Sequence, residues 1–96
     1  MKIGMPKSIS GETKATAGEI TTITFKKPVY SIIVENESTS YNLFVSFDMG
    51  ECWIKIRPEK YLSVEPFATK GKPVVLLKSD GASQPYQIIY RFVEGE

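Results

Sequence analysis

The chain has 96 residues, which is enough for one domain near the lower end of what a single hydrophobic core supports. Apolar residues make up 42% of the chain, and the net charge is only +1 with acids and bases interspersed. This composition excludes general disorder, and the small net charge favours neither nucleic acid nor an anionic membrane as the partner.

The first segment, residues 1–17, is rich in glycine, serine and lysine. Its sizeable apolar anchors are Ile3, Met5 and Ile9. Because so little apolar surface cannot offset the entropy of ordering the chain, we predict a flexible N-terminal arm that precedes the main domain, residues 18–96. An alternative is that these three anchors order the arm against a neighbouring subunit.

Two strands are predicted before the middle of the chain. Residues 18–26, GEITTITFK, are rich in β-branched residues, and Pro28 ends the strand because proline cannot donate to a ladder. Residues 29–35, VYSIIVE, form the second strand, and the polar run 36–40, NESTS, is a connection.

The middle of the chain, residues 42–57, is predicted to be a β-hairpin on which the register of the fold depends. A loop with an even number of residues creates three apolar cross-strand pairs on one face: Leu43 with Ile56, Val45 with Ile54 and Phe47 with Cys52. An odd loop would oppose Leu43 to Lys55, so burial of one apolar face favours the even register. These six side chains are therefore predicted to be core.

The hairpin loop is centred on Met49 and Gly50. Since Met49 would be strained at a positive φ, we predict a four-residue loop in which Gly50 takes the left-handed conformation.

Three further strands are predicted at residues 61–67, 73–78 and 85–93. The run 73–78, PVVLLK, is apolar throughout and short enough for a fully buried strand. About seven short strands without a helical segment predict an all-β fold, namely a single antiparallel β-sandwich of jelly-roll-like or immunoglobulin-like type. A partly open barrel is the alternative.

Residues that commonly carry catalysis are scarce. Histidine is absent, which removes the usual general base and metal ligand. Asp48 and Asp80 lie in glycine-containing turns, where a carboxylate accepts hydrogen bonds from the turn backbone. We therefore predict that the protein is not an enzyme and has no catalytic residue, metal site or cofactor.

Cys52 is the only cysteine, so no disulfide can form within the chain and we expect a reducing compartment. No apolar run approaches the ~20 residues that span a bilayer, and the first residues lack the apolar core of a signal peptide. We expect synthesis in the cytoplasm and no membrane partner.

The face of the hairpin opposite the core pairs carries Phe44, Trp53, Lys55 and Arg57. One interpretation is that this face packs against a second sheet, a loop or the arm. The other is that it is an exposed aromatic platform for a carbohydrate ring or a partner subunit. Stretches that are apolar on both strand faces, such as 74–77 and 88–90, predict strands that are buried at the centre of the sandwich. The alternative is that other subunits of a homo-oligomer cover some of these faces.

The run 45–58, VSFDMGECWIKIRP, resembles small β-sandwich virion proteins of tailed bacteriophages. The pattern is an asparagine-containing turn, a strand that ends in Ser-Phe-Asp-x-Gly, a tryptophan strand and a turn that begins with proline. Its residues here are Asn36, Asn42, Ser46, Phe47, Asp48, Gly50, Trp53 and Pro58. The resemblance covers about residues 32–90, with Leu77-Lys78-Ser79, Gly81 and Tyr86-Gln87-Ile88 in the closing strands. It departs at Glu59, where the pattern has glycine.

This resemblance implies a structural protein of the virion that decorates or cements the capsid. The implied partners are the major capsid protein or other virion proteins, and the implied arm is residues 1–17. A tail or baseplate adaptor and a carbohydrate-binding module are the alternatives. The residues predicted to contact a partner are Ile3, Met5, Ile9, Phe44, Trp53, Lys55 and Arg57.

Overall fold

The computed structural model describes residues 1–95. Within this range the chain forms nine strands and no helix: β1 (Lys2–Ile3), β2 (Lys7–Glu12), β3 (Thr21–Thr24), β4 (Val29–Asn36), β5 (Leu43–Ser46), β6 (Ile54–Ile56), β7 (Tyr61–Val64), β8 (Val74–Ser79) and β9 (Pro85–Gly95). None of these residues belongs to a helix long and apolar enough to cross a membrane. The prediction of an all-β fold is confirmed, whereas the predicted number of seven strands is too small.

The strands form two antiparallel sheets that share one core. In sheet 1, β1 and β2 pair with the same side of β9, and β4 and β7 follow on its other side. Sheet 2 has the order β3-β8-β5-β6. Inward side chains of both sheets form the core: Phe25, Val29, Ile32, Val34, Leu43, Val45, Ile56, Val75, Leu77, Tyr86, Ile88 and Phe92.

The two additional strands, β1 and β2, come from the segment predicted to be an arm. β2 pairs with β9 from Lys7 opposite Tyr90 to Glu12 opposite Pro85, and Ile9 packs against the core. The structure thus places Lys2–Ile3 and Lys7–Glu12 in sheet 1, in place of the predicted flexible arm. The physical reason is that β9 presents a ready-made strand edge, so backbone hydrogen bonds order a segment with few apolar side chains.

The central hairpin has the predicted register. Leu43 lies opposite Ile56 and Val45 opposite Ile54. Leu43, Val45 and Ile56 are fully or almost fully buried, as predicted. Phe47 lies just beyond β5 and packs against the core, with its ring centroid 4.8 Å from that of Phe67.

The prediction of burial is wrong for the other two members of that face. Cys52 is exposed, and Ile54 is 42% exposed. β6 has three residues and pairs only with β5, so the sheet ends beside it and gives these side chains little cover. Cys52 lies outside the strand altogether.

The hairpin loop is longer and more twisted than predicted. It extends from residue 47 to residue 53, and both Met49 (φ 60°) and Gly50 (φ 92°) are left-handed. The expectation that Met49 would avoid this conformation is therefore wrong. Hydrogen bonds from Ser46 and Asp48, described below, hold the loop in this shape.

Candidate functional site

The candidate site lies on the outer face of sheet 2, around Phe44. Phe44 is directly opposite Lys55 on β6 and directly opposite Lys78 on β8. Because directly opposite residues point to the same side of a sheet, the three side chains form a row across three neighbouring strands. We call Lys78, Phe44 and Lys55 the cross-strand row. Its face is outward because the adjacent residues Leu43 and Val45 are buried in the core.

Trp53 completes the aromatic part of the site. The Nζ atom of Lys78 lies 4.2 Å from the centroid of a Trp53 ring, which is a cation–π contact. Both aromatic side chains, Phe44 and Trp53, are half-buried. They line an open groove of about 360 Å³ together with Gly18, Lys78, Ser79 and Asp80. We call it the Trp53 groove.

The loop that carries Trp53 is held by two side chains at its beginning. The Ser46 hydroxyl donates to Asp48 Oδ1 at 2.8 Å and accepts the Gly50 N–H at 2.8 Å. Asp48 Oδ1 also accepts the Cys52 N–H at 2.9 Å. The Cys52 N–H and then the Ser46 hydroxyl lower the pKa of Asp48 from its ordinary value of 3.8. These bonds fix the loop immediately before Trp53.

The same loop lies across the outer face of sheet 2. A Cβ atom placed on Gly50 would be 3.7 Å from the Trp53 ring and 3.8 Å from the side chain of Leu76 on β8. Leu76 is 7% exposed although it points outward, opposite Ser46. The loop therefore covers one end of this face and leaves the Trp53 groove at its border.

The other border of the groove is a polar cluster around Asp80. Its Oδ1 accepts the Asn42 N–H at 2.9 Å, and its Oδ2 accepts from Asn42 Nδ2 at 3.1 Å. The Ser79 hydroxyl donates to the Asn42 carbonyl at 3.0 Å, and the Gly18 N–H donates to the Ser79 carbonyl at 2.7 Å. As predicted, Asp48 accepts a hydrogen bond from the backbone of its own loop, whereas the backbone N–H that Asp80 accepts is that of Asn42, outside its turn.

The structure brings together some of the residues predicted to bind a partner and separates others. Phe44, Trp53 and Lys55 are neighbours on the outer face of sheet 2. Arg57 is exposed at the end of β6 and lines a second open groove with Lys55, Ile56, Lys60, Tyr61 and Leu62. The N-terminal group of Ile3, Met5 and Ile9 belongs to sheet 1 or its β1–β2 connection and is not part of this site.

Sequence reasoning missed Lys78, which lies opposite Phe44 and has its ammonium group over a Trp53 ring. The sequence of residues 74–79 does not show which side chains point outward, because Val75, Leu76 and Leu77 are all apolar. Only the pairing of β5 with β8 identifies Lys78 as the neighbour of Phe44.

The chemistry available in the groove is stacking, apolar contact and ionic contact. Among residues 1–95, no group of three or more histidine, cysteine, aspartate or glutamate side chains is placed to hold a metal ion. The carboxylate that lines the groove, Asp80, already accepts two hydrogen bonds from Asn42.

The sequence matches no protein-family model and no curated protein. Among solved structures, the crystal structure of FLHE is similar in fold, with a TM-score of 0.51 and 8% sequence identity. The similarity covers 96% of this chain and 98% of that chain. At this level of identity it shows a common fold and carries no functional conclusion.

Proposed function

We propose that this protein is a non-enzymatic structural component of a tailed-phage virion, which binds the capsid and stabilises it. The sequence support is the resemblance over about residues 32–90. The structural observation that supports a binding role is the Trp53 groove, where Phe44, Trp53 and Lys78 meet on the outer face of a sheet. The protein would act by surface complementarity, without a chemical step.

The groove has the character of a protein-binding surface. Tryptophan, together with tyrosine and arginine, contributes disproportionately to binding energy in protein interfaces, because a large ring loses much water on contact and little conformational freedom. Phe44 and Trp53 are only half-buried in the isolated chain, so each retains surface that a partner can cover. Nothing in the groove is arranged as a proton donor and acceptor pair, since the Asp80 carboxylate is engaged by Asn42.

The type of β-fold is also part of this proposal. We assign the two sheets to a β-sandwich of jelly-roll-like or immunoglobulin-like type. The support is that inward residues of both sheets, such as Ile88 on β9 and Leu77 on β8, are members of one core.

We also propose that the protein is a homo-oligomer on the particle. The support is the number of large apolar side chains that remain exposed, of which Met5 (79%), Tyr61 (67%) and Met49 (67%) are the most open. Met5, one of the predicted anchors, is thus free to contact a neighbour from the β1–β2 connection. Light scattering of the purified protein across a concentration series tests this, and a monomer at all concentrations argues against a stable oligomer.

The decisive experiment for the virion role uses the phage whose genome carries the gene. Mass spectrometry of purified virions should detect the protein at a fixed copy number relative to the major capsid protein. Purified protein should also sediment with particles that lack it. Absence from virions, together with no sedimentation, would refute the proposed function.

Variants then test whether the Trp53 groove is the contact. Trp53→Ala and Phe44→Ala should each weaken particle binding by roughly tenfold or more, because aromatic residues of this kind cost about 1–4 kcal/mol when truncated in an interface. Tyr30→Ala is the matched control, since Tyr30 is a half-buried aromatic residue on β4 of sheet 1 that does not line this groove. Equal losses for Tyr30→Ala and Trp53→Ala would assign the binding surface elsewhere.

Two other functions use the same surface. Carbohydrate binding is favoured by the two aromatic rings that line an open groove, but the Lys78 ammonium group lies over a Trp53 ring, where a sugar would stack. A panel of glycans titrated against Trp53 fluorescence tests it, and a flat response dismisses it. A tail or baseplate adaptor is distinguished from a capsid protein by labelling the protein on intact virions and locating the label by electron microscopy.

A further inference from the structure

We infer that the Trp53 groove binds an acidic peptide segment of another virion protein, which places one apolar side chain on Phe44 and acidic side chains on the two lysines of the cross-strand row. This inference rests on the proposed function, because it names the chemistry of the partner for that same site. It also adds Lys78, which neither the sequence pattern nor the resemblance assigns to the site.

The geometry of the cross-strand row carries the inference. Lys78 and Lys55 lie directly opposite Phe44, on the two strands that flank β5. Since neighbouring strands are about 4.8 Å apart, the backbones of the two lysines are separated by about 10 Å, with the Phe44 ring between them. The register of the three strands therefore places the apolar side chain of Phe44 between the two lysines.

Both lysines are available for an acidic partner. Among residues 1–95, the one salt bridge joins Lys27 to Glu94, so neither Lys55 nor Lys78 has a carboxylate within 4.0 Å in that part of the chain. Lys78 instead lies over a Trp53 ring at 4.2 Å. A cation–π contact orients the ammonium group without neutralising its charge.

The cations of this face are grouped on the row, whereas the carboxylates lie at its borders. Lys55 and Lys78 flank Phe44 on the neighbouring strands. Asp80, at one border, has both oxygens hydrogen-bonded to Asn42, and Asp48 and Glu51 belong to the loop at the other border. The charge that complements an acidic segment is therefore that of the two lysines, and not a net charge of the face.

An extended peptide fits this row in a defined way. In such a peptide every second side chain points to the same side, about 6.5 to 7 Å apart. A segment with the pattern acidic-x-apolar-x-acidic can therefore place its central side chain on Phe44 while the long lysine side chains reach the two acids.

A peptide is favoured over single-stranded nucleic acid by the small extent of the positive surface. Nucleic acid binding needs a basic path that follows several phosphates, and its strength depends on how many of them are neutralised. The net charge of +1 for 96 residues leaves no such path beyond this local group of cations.

The direct test uses the full-length protein and a synthetic peptide with blocked ends, Gly-Glu-Ser-Phe-Ser-Glu-Gly. Trp53 is the only tryptophan, so its fluorescence reports on the groove without labelling. We expect a saturable change in emission that weakens as salt is raised from about 50 to about 500 mM, since salt screens exposed charges. The same peptide with glutamine in place of both glutamates should bind roughly tenfold more weakly, because each exposed ion pair contributes about threefold in affinity.

Variants of the protein provide the matched comparison. The double variant Lys55→Glu/Lys78→Glu should lose roughly tenfold or more in affinity, measured by calorimetry because the Lys78 change alters the surroundings of Trp53 itself. Lys70→Glu/Lys72→Glu changes the net charge equally, at exposed positions between β7 and β8, and should bind like the unmodified protein. The single variant Lys55→Glu, on an exposed edge-strand position, keeps the test valid if the double variant fails to fold.

Three results would overturn the inference: a flat titration with the acidic peptide, equal binding of the glutamine peptide, or tighter binding of an oligothymidylate of about ten nucleotides. Particle sedimentation separates this inference from the proposed function. Binding to particles without binding of the acidic peptide refutes only the inference, and binding of the peptide without any binding to particles refutes only the virion role.

Discussion

Replacing Asn36 by alanine should strongly destabilise the protein, because this buried side chain makes three hydrogen bonds. Asn36 is the last residue of β4 and is 2% exposed. Its Nδ2 donates to the carbonyls of Tyr41 and Ile56, both at 2.9 Å, and its Oδ1 accepts the Ser38 N–H at 3.0 Å. One amide group thus connects sheet 1 to β6 of sheet 2 and to the loop that leads into the central hairpin.

The size of the effect follows from these three hydrogen bonds. Each contributes about 1 kcal/mol net, and a buried group left without a partner costs about 1–3 kcal/mol. The bonds to the Ile56 carbonyl and from the Ser38 N–H are the more serious losses, because both are buried, whereas the bond to the Tyr41 carbonyl is only partly buried. We therefore expect Asn36→Ala to lower the free energy of unfolding by about 3 kcal/mol, which is a large part of the 5–15 kcal/mol that holds a small domain together.

Urea unfolding followed by Trp53 fluorescence and by circular dichroism measures this loss. In thermal unfolding, about 3 kcal/mol corresponds to a decrease in Tm of roughly 12–24 °C for a domain of this size. Asn42→Ala is the control, since its side-chain bond to Asp80 is exposed and should contribute less than about 1 kcal/mol. A loss below about 1 kcal/mol for Asn36→Ala, or equal losses for both variants, would refute the reasoning that burial determines the effect.

Three further predictions concern the loop and the core. The pKa of Asp48 is lowered in the folded state, so its stabilising contribution is complete above the ordinary value of 3.8 and disappears as the pH falls through the lower folded pKa. Acid unfolding curves of the Asp48→Asn variant should therefore lack the loss of stability that is caused by protonation of Asp48. Curves identical to those of the unmodified protein would contradict this prediction. Gly50→Ala should cost about 1 kcal/mol and shift Trp53 emission, because Gly50 has φ 92° and lies beside the Trp53 ring. Gly71→Ala, at φ 76° with open space around it, should cost about the same without an emission shift, so a shift in both variants would show that the loop is not the cause. Leu77→Ala should cost about 3–4 kcal/mol in urea unfolding, because Leu77 is completely buried, and a cost below about 2 kcal/mol would mean that the site is not packed as described.

The two strands of the central hairpin and their register could be predicted, because both depend on the local alternation of core-facing and outward side chains. Leu43 and Val45 have to share a face with Ile56 if that face is to be buried, and the structure has this register. The loop at Met49 could not be predicted in the same way. The left-handed Met49 depends on the bonds that Ser46 and Asp48 make within the loop, and its intrinsic preference alone indicated the opposite.

Burial at the edges of the sheets also depended on more than alternation. Ile54 continues the apolar pattern of the hairpin, yet it is 42% exposed because, among residues 1–95, β6 pairs with no strand beyond β5. Ile9 shows the reverse case, since a segment poor in apolar residues is ordered by the free side of β9.

Part of the candidate site was present in the sequence by itself. The alternation of residues 43–57 is enough to place Phe44, Trp53 and Lys55 together on the face opposite the core, since neighbours along a strand point to opposite sides. Only the tertiary structure decided that Lys78 joins them. Phe44 and Lys78 are distant in the chain and become neighbours because β5 pairs with β8. That pairing is selected by the burial of both strands in a common core. No local pattern in the sequence contains this information.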